Sequence, residues 1–245
     1  MTRVTFVGTS DAFGAGGRRQ AAIFVETASG GLLLDCAPTT GTGFAALGLT
    51  RDAVDAIAIT HFHADHFAGI PQLLIGAQYE DNRRKPIAIA GPPGVEARVR
   101  AAATAVGLAL ESHAFGFEIR FAELAPGRTL DLGLAKIDAF QTFHQPESVP
   151  HGLIVSTGGR RLAYSGDTGW FDELPDFARG ADLCICECTF LEASFEYHLD
   201  YRTLVERADR FACERLVLTH LGTQMSPLRG RLELETADDG VTIAL

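Results

Sequence analysis

Thr60-His61-Phe62-His63-Ala64-Asp65-His66 directly follows the apolar run Ala56–Ile59 and brings three histidines and an aspartate into seven residues. The apolar run is typical of a buried strand, so the polar stretch begins where that strand ends. Neutral imidazoles and carboxylates are ligands that zinc and similar divalent metals prefer. The alternative is a surface or hydrogen-bonded polar cluster, which is disfavoured because burying four polar side chains without a shared partner is costly. The stretch therefore predicts a metal site at a strand end.

The spacing of these side chains indicates two neighbouring metals. His61 and His63 are two residues apart, so an extended backbone projects both rings to the same side. Asp65 and His66 follow in a predicted turn that enters a helix from Phe67 onward. This change of direction would aim them at a second point close to the first.

Four further polar residues end predicted strands elsewhere in the chain, namely Asp35, His144, Asp167 and His220. Polar groups at strand ends are where α/β sheets usually assemble their sites. We expect Asp35 to support the site rather than to bind metal. For Asp167, metal ligation and N-capping of a following helix are equally consistent with the pattern.

The composition is that of an ordinary globular protein, with 47% hydrophobic and 21% charged residues. No apolar run approaches the roughly 20 residues of a membrane span, and the N-terminus shows no signal peptide, so a cytoplasmic location is expected. The net charge of −10 argues against a broad nucleic-acid-binding surface and favours a small-molecule substrate.

Three of the five cysteines, Cys184, Cys186 and Cys188, alternate along a predicted strand. One extended strand cannot wrap three adjacent thiolates around a tetrahedral ion. We therefore interpret them as small buried hydrophobic residues in a reduced compartment rather than as metal ligands.

The strand and helix patterns alternate in groups along the chain. Strands are predicted near 3–7, 21–26, 31–35, 56–59, 87–90, 116–121, 133–140, 151–156, 161–164, 182–187 and 215–218, with a closing strand pair near 231–244. Helices are predicted near 69–79, 93–106, 170–179 and 200–213. This grouping predicts two mixed sheets packed together with helices outside. The glycine-rich loop at 14–17 would be either a phosphate cradle or a plain turn.

Several of these stretches together resemble the metallo-β-lactamase superfamily, and within it the ribonuclease Z-like branch. The matching stretches are Phe6–Ser10, Leu33–Cys36, His61–His66, Ala163–Thr168 and Leu218–His220. The resemblance covers most of the chain and implies one α/β (α+β) domain over residues 1–245, folded as an αββα sandwich. It also implies a metal-dependent hydrolase with the site along one edge of the sandwich.

The resemblance assigns the metal ligands by motif. It implies one metal held by His61, His63 and His144 and a second held by Asp65, His66 and His220, with Asp167 bridging the two. His151 is the alternative to His144, because the segment from Pro146 to Pro150 is longer than the usual pattern. Two divalent ions are expected, with zinc preferred and manganese or iron as alternatives.

Asp65 and His198 are the predicted catalytic residues. Asp65 would orient the attacking water or accept its proton, and His198 would donate a proton or stabilise developing negative charge. The ribonuclease Z-like branch usually has small hydroxylated residues after this histidine, whereas Leu199-Asp200 follows here.

A second departure from the branch concerns the substrate. Ribonuclease Z carries a long tRNA-gripping arm between the third histidine and the bridging aspartate, but only 23 positions (167 minus 144) separate His144 from Asp167. The leading hypothesis is a phosphodiesterase acting on a small or cyclic phosphodiester, with no long nucleic acid and no membrane as partner. The alternatives are a lactone, ester or thioester hydrolase, a tRNA 3′-processing endonuclease disfavoured by the missing arm, and a non-catalytic metal-binding module. A homodimer is expected because relatives often pair.

Overall fold

Two seven-stranded mixed sheets pack face to face in the computed structural model, which describes residues 1–245. The first sheet has the order β14-β1-β2-β3-β4-β5-β6 and is formed by β1 (Arg3–Gly8), β2 (Ala22–Thr27), β3 (Gly30–Leu34), β4 (Val54–Ala58), β5 (Ile87–Gly91), β6 (Ile119–Glu123) and β14 (Thr242–Ala244). The second has the order β13-β12-β11-β10-β9-β8-β7 and is formed by β7 (Thr129–Asp131), β8 (Lys136–Gln141), β9 (His151–Thr157), β10 (Arg160–Tyr164), β11 (Leu183–Glu187), β12 (Leu216–Thr219) and β13 (Glu235–Thr236).

The central strands are apolar on both faces, because each sheet is covered on both sides. In β2, Ile23 and Val25 belong to the core between the sheets, whereas Ala22 and Phe24 pack on the opposite face. This alternation follows from the two-residue period of a strand. The core between the sheets holds 22 buried residues drawn from both sheets.

Helices cover the two outer faces. They are α1 (Thr40–Ala46), α2 (Ala64–Phe67), α3 (Ile70–Tyr79), α4 (Val95–Ala105), α5 (Leu174–Phe177) and α6 (Tyr201–Glu206). Phe44, Ile70 and Val99 of α1, α3 and α4 pack in the apolar cluster on the first sheet, and Leu174 and Leu204 of α5 and α6 pack on the second. The predicted αββα sandwich is confirmed. No helix has the length and apolar character needed to cross a membrane.

The C-terminal strands differ from the predicted closing pair. Glu235 and Thr236 of β13 pair with β12, whereas β14 pairs antiparallel with β1 in the other sheet. The two segments therefore close different sheets instead of forming a hairpin, because the chain crosses from one sheet to the other between them. Each sheet gains one edge strand from this crossing.

Two predicted helices are shorter than expected. The segment 170–179 contains only the one-turn α5, which begins at Leu174 with Pro175 in its first turn, a position where proline is tolerated. The segment 200–213 splits into α6 and a 3₁₀ turn at Ala208–Arg210, after which Phe211 takes extended backbone and packs in the apolar cluster on the outer face of the second sheet.

The three alternating cysteines lie buried in that same apolar cluster and form no disulfide, so their prediction as buried hydrophobic residues is confirmed.

Candidate metal centre

Ends of strands from both sheets meet at one edge of the sandwich, and short backbone contacts fix them there. The segment after β4 is held against the start of β9, because the amide of His151 donates to the carbonyl of Thr60 at 3.0 Å. His63 occupies the N-cap position of α2 with extended backbone, whereas Asp65 and His66 lie inside that helix. This change of direction matches the one predicted from the sequence.

The first group of donors is formed by three imidazoles. His63 Nδ1 lies 3.1 Å from His61 Nε2 and 3.0 Å from His144 Nε2. Asp167 Oδ2 approaches the same group, 3.7 Å from His61 Nε2 and 4.0 Å from His144 Nε2. These four residues are grouped closely enough to hold one metal ion.

The second group shares Asp167 with the first. His66 Nε2 lies 3.2 Å from Asp167 Oδ1 and 3.3 Å from Asp65 Oδ2. His220 Nε2 lies 3.3 Å from Asp65 Oδ2 and 3.5 Å from Asp167 Oδ1. Because one carboxylate faces both groups, a bridging position between two neighbouring cations is geometrically available.

Neighbouring groups hold the ring nitrogens that point away from this centre. His66 Nδ1 donates to Asp35 Oδ2 at 2.7 Å, and His144 Nδ1 donates to the carbonyl of Tyr197 at 2.8 Å. His220 Nδ1 lies 2.9 Å from Thr189 Oγ1. Such contacts set the ring orientation and the tautomer, and they are typical around metal-binding histidines.

The donor atoms fit a cation better than they fit one another. Because Nδ1 of His66 and of His144 donates, Nε2 of each ring carries the lone pair in the neutral form that binds metal, and this atom faces carboxylate oxygens or other ring nitrogens. His66 Nε2 and Asp167 Oδ1 are fully buried without any hydrogen-bond partner. Buried polar atoms are rarely left unsatisfied, so converging lone pairs of this kind indicate a positive charge between them.

The electrostatics differ among the four buried histidines of the donor groups. Burial would lower the pKa of His66 and of His220, but the carboxylates of Asp167 and Asp65 outweigh it and raise both, so these two rings attract protons with which a bound cation would compete. Burial lowers the pKa of His61 and His144, so both rings are neutral, which is the form that binds metal. Burial alone would raise the pKa of Asp167, but the surrounding imidazoles, led by His220 and His66, hold it well below its ordinary value. The Asp167 side chain, which faces both groups, is therefore a carboxylate.

Glu187 and Thr189 belong to the site although the sequence analysis did not identify them. Glu187, at the end of β11, is fully buried, and its Oε1 accepts hydrogen bonds from His198 Nδ1 at 2.7 Å and from the Thr168 amide at 2.9 Å. Burial would lower the pKa of His198, but Glu187 outweighs it and raises that pKa to about 9. Glu187 alternates with the three buried cysteines, so it lies on the opposite face of β11.

All eight predicted site residues surround one centre. Seven of them form the two donor groups. His198 lies beside these groups, with its ring stacked on that of His220 at 5.6 Å between centroids. The alternative ligand, His151, lies outside both groups and its Nδ1 donates to the carbonyl of Val149. Asp35 supports His66 rather than joining a donor group, as expected. Asp167 does not cap a helix, since α5 begins only at Leu174.

A cavity of about 590 Å³ opens onto this centre. Asp65, Asp167, His198 and His220 all contribute to its wall. No lysine or arginine lines it, whereas Phe13 and Phe195 do. The cavity size lies in the range of small-molecule pockets, which run from about 300 to 1,000 Å³.

Comparisons with known proteins agree with the geometry. The family described as "Beta-lactamase superfamily domain" matches residues 32–221. The ribonuclease Z of Myxococcus xanthus is 31% identical, with the alignment covering 100% of this chain and 98% of that protein. The crystal structure of the short form of human tRNase Z covers 99% of this chain and 98% of its own, with 26% identity and a TM-score of 0.76. The metallo-β-lactamase fold protein YhfI from Bacillus subtilis covers 100% of both chains, with 20% identity and a TM-score of 0.77, which supports the fold alone.

Proposed function

The chain belongs to the beta-lactamase superfamily as a metallo-hydrolase of its ribonuclease Z-like branch, and on that premise we propose that it is a two-metal phosphodiesterase acting on a small or cyclic phosphodiester. The observation that carries the proposal is the pair of donor groups that share Asp167 at the wall of one small cavity. Relatives named as ribonucleases support the bond type, because the bonds of RNA are phosphodiesters.

In this proposal each of the two donor groups binds one metal ion. One divalent ion would be held by His61, His63 and His144, and the other by Asp65, His66 and His220, with Asp167 between them. Such a pair, when bound, supplies activation of a water and stabilisation of charge on the attacking and leaving oxygens. Zinc is the first candidate because imidazole and carboxylate donors suit it, although manganese and iron accept the same donors.

Two side chains would handle protons. Burial would raise the pKa of Asp65, but His66 and His220 hold it well below its ordinary value, so Asp65 is a carboxylate able to accept a hydrogen bond from the attacking water. Glu187 raises the pKa of His198 to about 9, which favours the protonated ring at neutral pH. With Nδ1 occupied by Glu187, the nitrogen of His198 available to a substrate is Nε2, which would donate a proton to the leaving oxygen.

The lining of the cavity favours a small substrate. Proteins that bind long nucleic acids neutralise successive phosphates with lysine and arginine, and this cavity has neither. The alignment with the Myxococcus xanthus ribonuclease Z runs over 315 positions although this chain has 245 residues, so at least 70 positions (315 minus 245) face no residue of this chain. The ribonuclease Z relatives nevertheless weaken any exclusion of nucleic acid, so a tRNA substrate belongs in the test.

The test is an activity panel on the zinc- or manganese-loaded protein. We expect hydrolysis of bis(p-nitrophenyl) phosphate and of cyclic nucleotides, and no comparable rate on lactones or thioesters. The Asp167→Ala variant should lose the activity, while His151→Ala, which replaces a buried histidine outside both donor groups, should keep it. Inactivity on every phosphodiester with both metals bound would contradict the proposal.

Two further outcomes would favour the other candidates. Efficient cleavage of a tRNA precursor with a 3′ extension, at rates well above those on small diesters, would make the chain a tRNA-processing enzyme. If Asp167→Ala removed metal from a protein that had shown no turnover on any substrate, the chain would be a metal-binding module.

A further inference from the structure

Two exposed phenylalanines form part of the wall of the cavity that holds the metal centre. The side chain of Phe13 is 92% exposed and that of Phe195 is 42% exposed, and both line this cavity. Scattered exposed apolar side chains need no explanation, but two on the wall of one cavity indicate a binding site for an apolar group.

The backbone that carries Phe13 is fixed although its ring is free. Asp11 Oδ1 accepts the amide hydrogens of Phe13 and Ala15, each at 3.1 Å. The carbonyl of Ala12 accepts from Gln20 Nε2 at 2.7 Å. The ring is thus presented to the cavity by an ordered loop, which lowers the entropy cost of binding a partner against it.

Phe195 connects the apolar wall to the catalytic residues. Its ring centroid lies 5.4 Å from that of Tyr197 in an edge-to-face arrangement and 6.0 Å from that of His198. The carbonyl of Tyr197 in turn accepts the Nδ1 hydrogen of His144. A flat group bound against Phe195 would therefore lie beside the proposed proton donor and one proposed metal ligand.

We propose that Phe13 and Phe195 bind a nucleobase of the substrate, so that the phosphodiester cleaved at this centre belongs to a nucleotide. This rests on the proposed phosphodiesterase function and specifies its substrate class. Exposed aromatic rings bind bases by stacking, and they do so with little dependence on sequence because every base has a π-face. The absence of lysine and arginine from the cavity favours a substrate with one phosphodiester rather than a chain of phosphates.

The test compares two ligands that share a ribose 5-phosphate group, of which only one carries a base. Binding of AMP and of ribose 5-phosphate to the zinc-loaded protein is measured by calorimetry. AMP should bind at least about fivefold more tightly, since stacking on an aromatic side chain contributes about 1–3 kcal/mol per base. Phe13→Ala and Phe195→Ala should each reduce the AMP affinity by a similar factor and leave that of ribose 5-phosphate within about twofold.

Two controls make the result specific to the rings. Phe13→Leu keeps an apolar side chain without a ring, and it should lose most of the preference for AMP. Tyr79→Ala removes an aromatic side chain that is 63% exposed outside this cavity, and it should change neither affinity. Equal binding of AMP and ribose 5-phosphate, or full retention of the preference in Phe13→Leu, would overturn the inference.

A second copy of the chain is the other group able to cover Phe13. If Phe13→Ala dissociates a dimer, as seen by light scattering, and leaves the preference for AMP unchanged, the ring serves an interface and the inference fails. Binding is measured without turnover, so the two proposals fail separately. If the protein hydrolyses diesters but does not bind AMP more tightly than ribose 5-phosphate, only the proposed base site is overturned. If it binds AMP more tightly through Phe13 but hydrolyses no diester, only the proposed phosphodiesterase function is overturned.

Discussion

In four of the five histidines of the donor groups, a neighbouring residue contacts the ring nitrogen that points away from the centre. Asp35 is the most constrained of these residues, because it is fully buried with a left-handed backbone (φ 57°). Its carboxylate accepts from His66 Nδ1, from the Tyr164 hydroxyl at 2.8 Å and from the Thr60 amide at 2.8 Å. A non-glycine residue keeps such a conformation only where its surroundings fix it, so the network around Asp35 sets the direction of His66.

Glu187→Gln should separate orientation of His198 from metal binding. The amide is close in shape to the carboxylate but carries no charge, so it would hold the His198 ring less firmly and would no longer favour its protonated form. We expect kcat on a phosphodiester to fall by roughly 10–100-fold, in line with losses of other orienting partners, with little change in KM. Metal content, measured by elemental analysis, should stay at the wild-type value, and its loss would mean that Glu187 supports the metal ligands themselves.

His144→Ala and His151→Ala form a matched pair of histidine deletions. Both side chains are buried, but only His144 belongs to a donor group. His144→Ala should lower the number of metal ions bound per chain and abolish most of the activity, whereas His151→Ala should leave the metal content unchanged. Equal metal loss in both variants would contradict the assignment of His144.

The grouping of the donor residues was predictable from the sequence because each follows a strand pattern and the first four lie within six residues, from His61 to His66. Glu187 and Thr189 were not, because their roles depend on contacts with His198 and His220 that only the folded chain creates. Neither residue type is diagnostic by itself.

At the scale of elements, the end of β1 determines where the loop with Phe13 lies. The pairing of β1 with β2 shifts register between Phe6 and Gly8. A Cβ atom on Gly8 would lie 1.9 Å from the carbonyl oxygen of Gln20. The close approach of these two chain segments therefore requires glycine.

Gly8→Ala should accordingly destabilise the fold, and Gly41→Ala serves as its control. Forcing an extra methyl group into a packed position typically costs about 1–3 kcal/mol, because the backbone must shift. Gly41 lies in α1 with open space around its Cβ position, so alanine there should be neutral or stabilise by about 0.5–1 kcal/mol. Urea denaturation of the wild type, Gly8→Ala and Gly41→Ala measures whether each variant is less or more stable than the wild type. Similar midpoints for Gly8→Ala and the wild type would contradict the close contact at Gly8.

The positions of strands and helices were predictable where burial sets the periodicity of apolar residues. They were not predictable where pairing with a distant strand determines whether a short segment is a strand. The strands of the two sheet centres agree with the predicted positions because their residues are apolar on both faces. Helix α1 escaped prediction because Gly41 and Gly43 lower its intrinsic helix propensity. The partners of β13 and β14 could not be assigned from sequence, since each strand is only two or three residues long and pairs with a distant strand.

At the scale of the whole molecule, the candidate metal centre draws its donor residues from both sheets. The segment that follows β4 in the first sheet supplies His61, His63, Asp65 and His66, and the second sheet supplies His144, Asp167 and His220. Without cations, ring nitrogens and carboxylates of the two halves would face one another at 3.0–3.3 Å. Metal binding should therefore stabilise the packing of the sheets as well as supply the chemistry.

Removal of the metals by a chelator should lower the melting temperature. A ligand that binds only the folded state stabilises it by about 4 kcal/mol when its free concentration is 1,000 times its Kd. For a chain of this size about 1 kcal/mol corresponds to roughly 2–4 °C, so a decrease of roughly 8–16 °C is expected, and added zinc should reverse it. The Asp167→Ala variant, which lacks the carboxylate shared by both groups, should show a much smaller response to chelator. Identical melting temperatures for the wild type with and without metal would mean that the centre does not join the sheets.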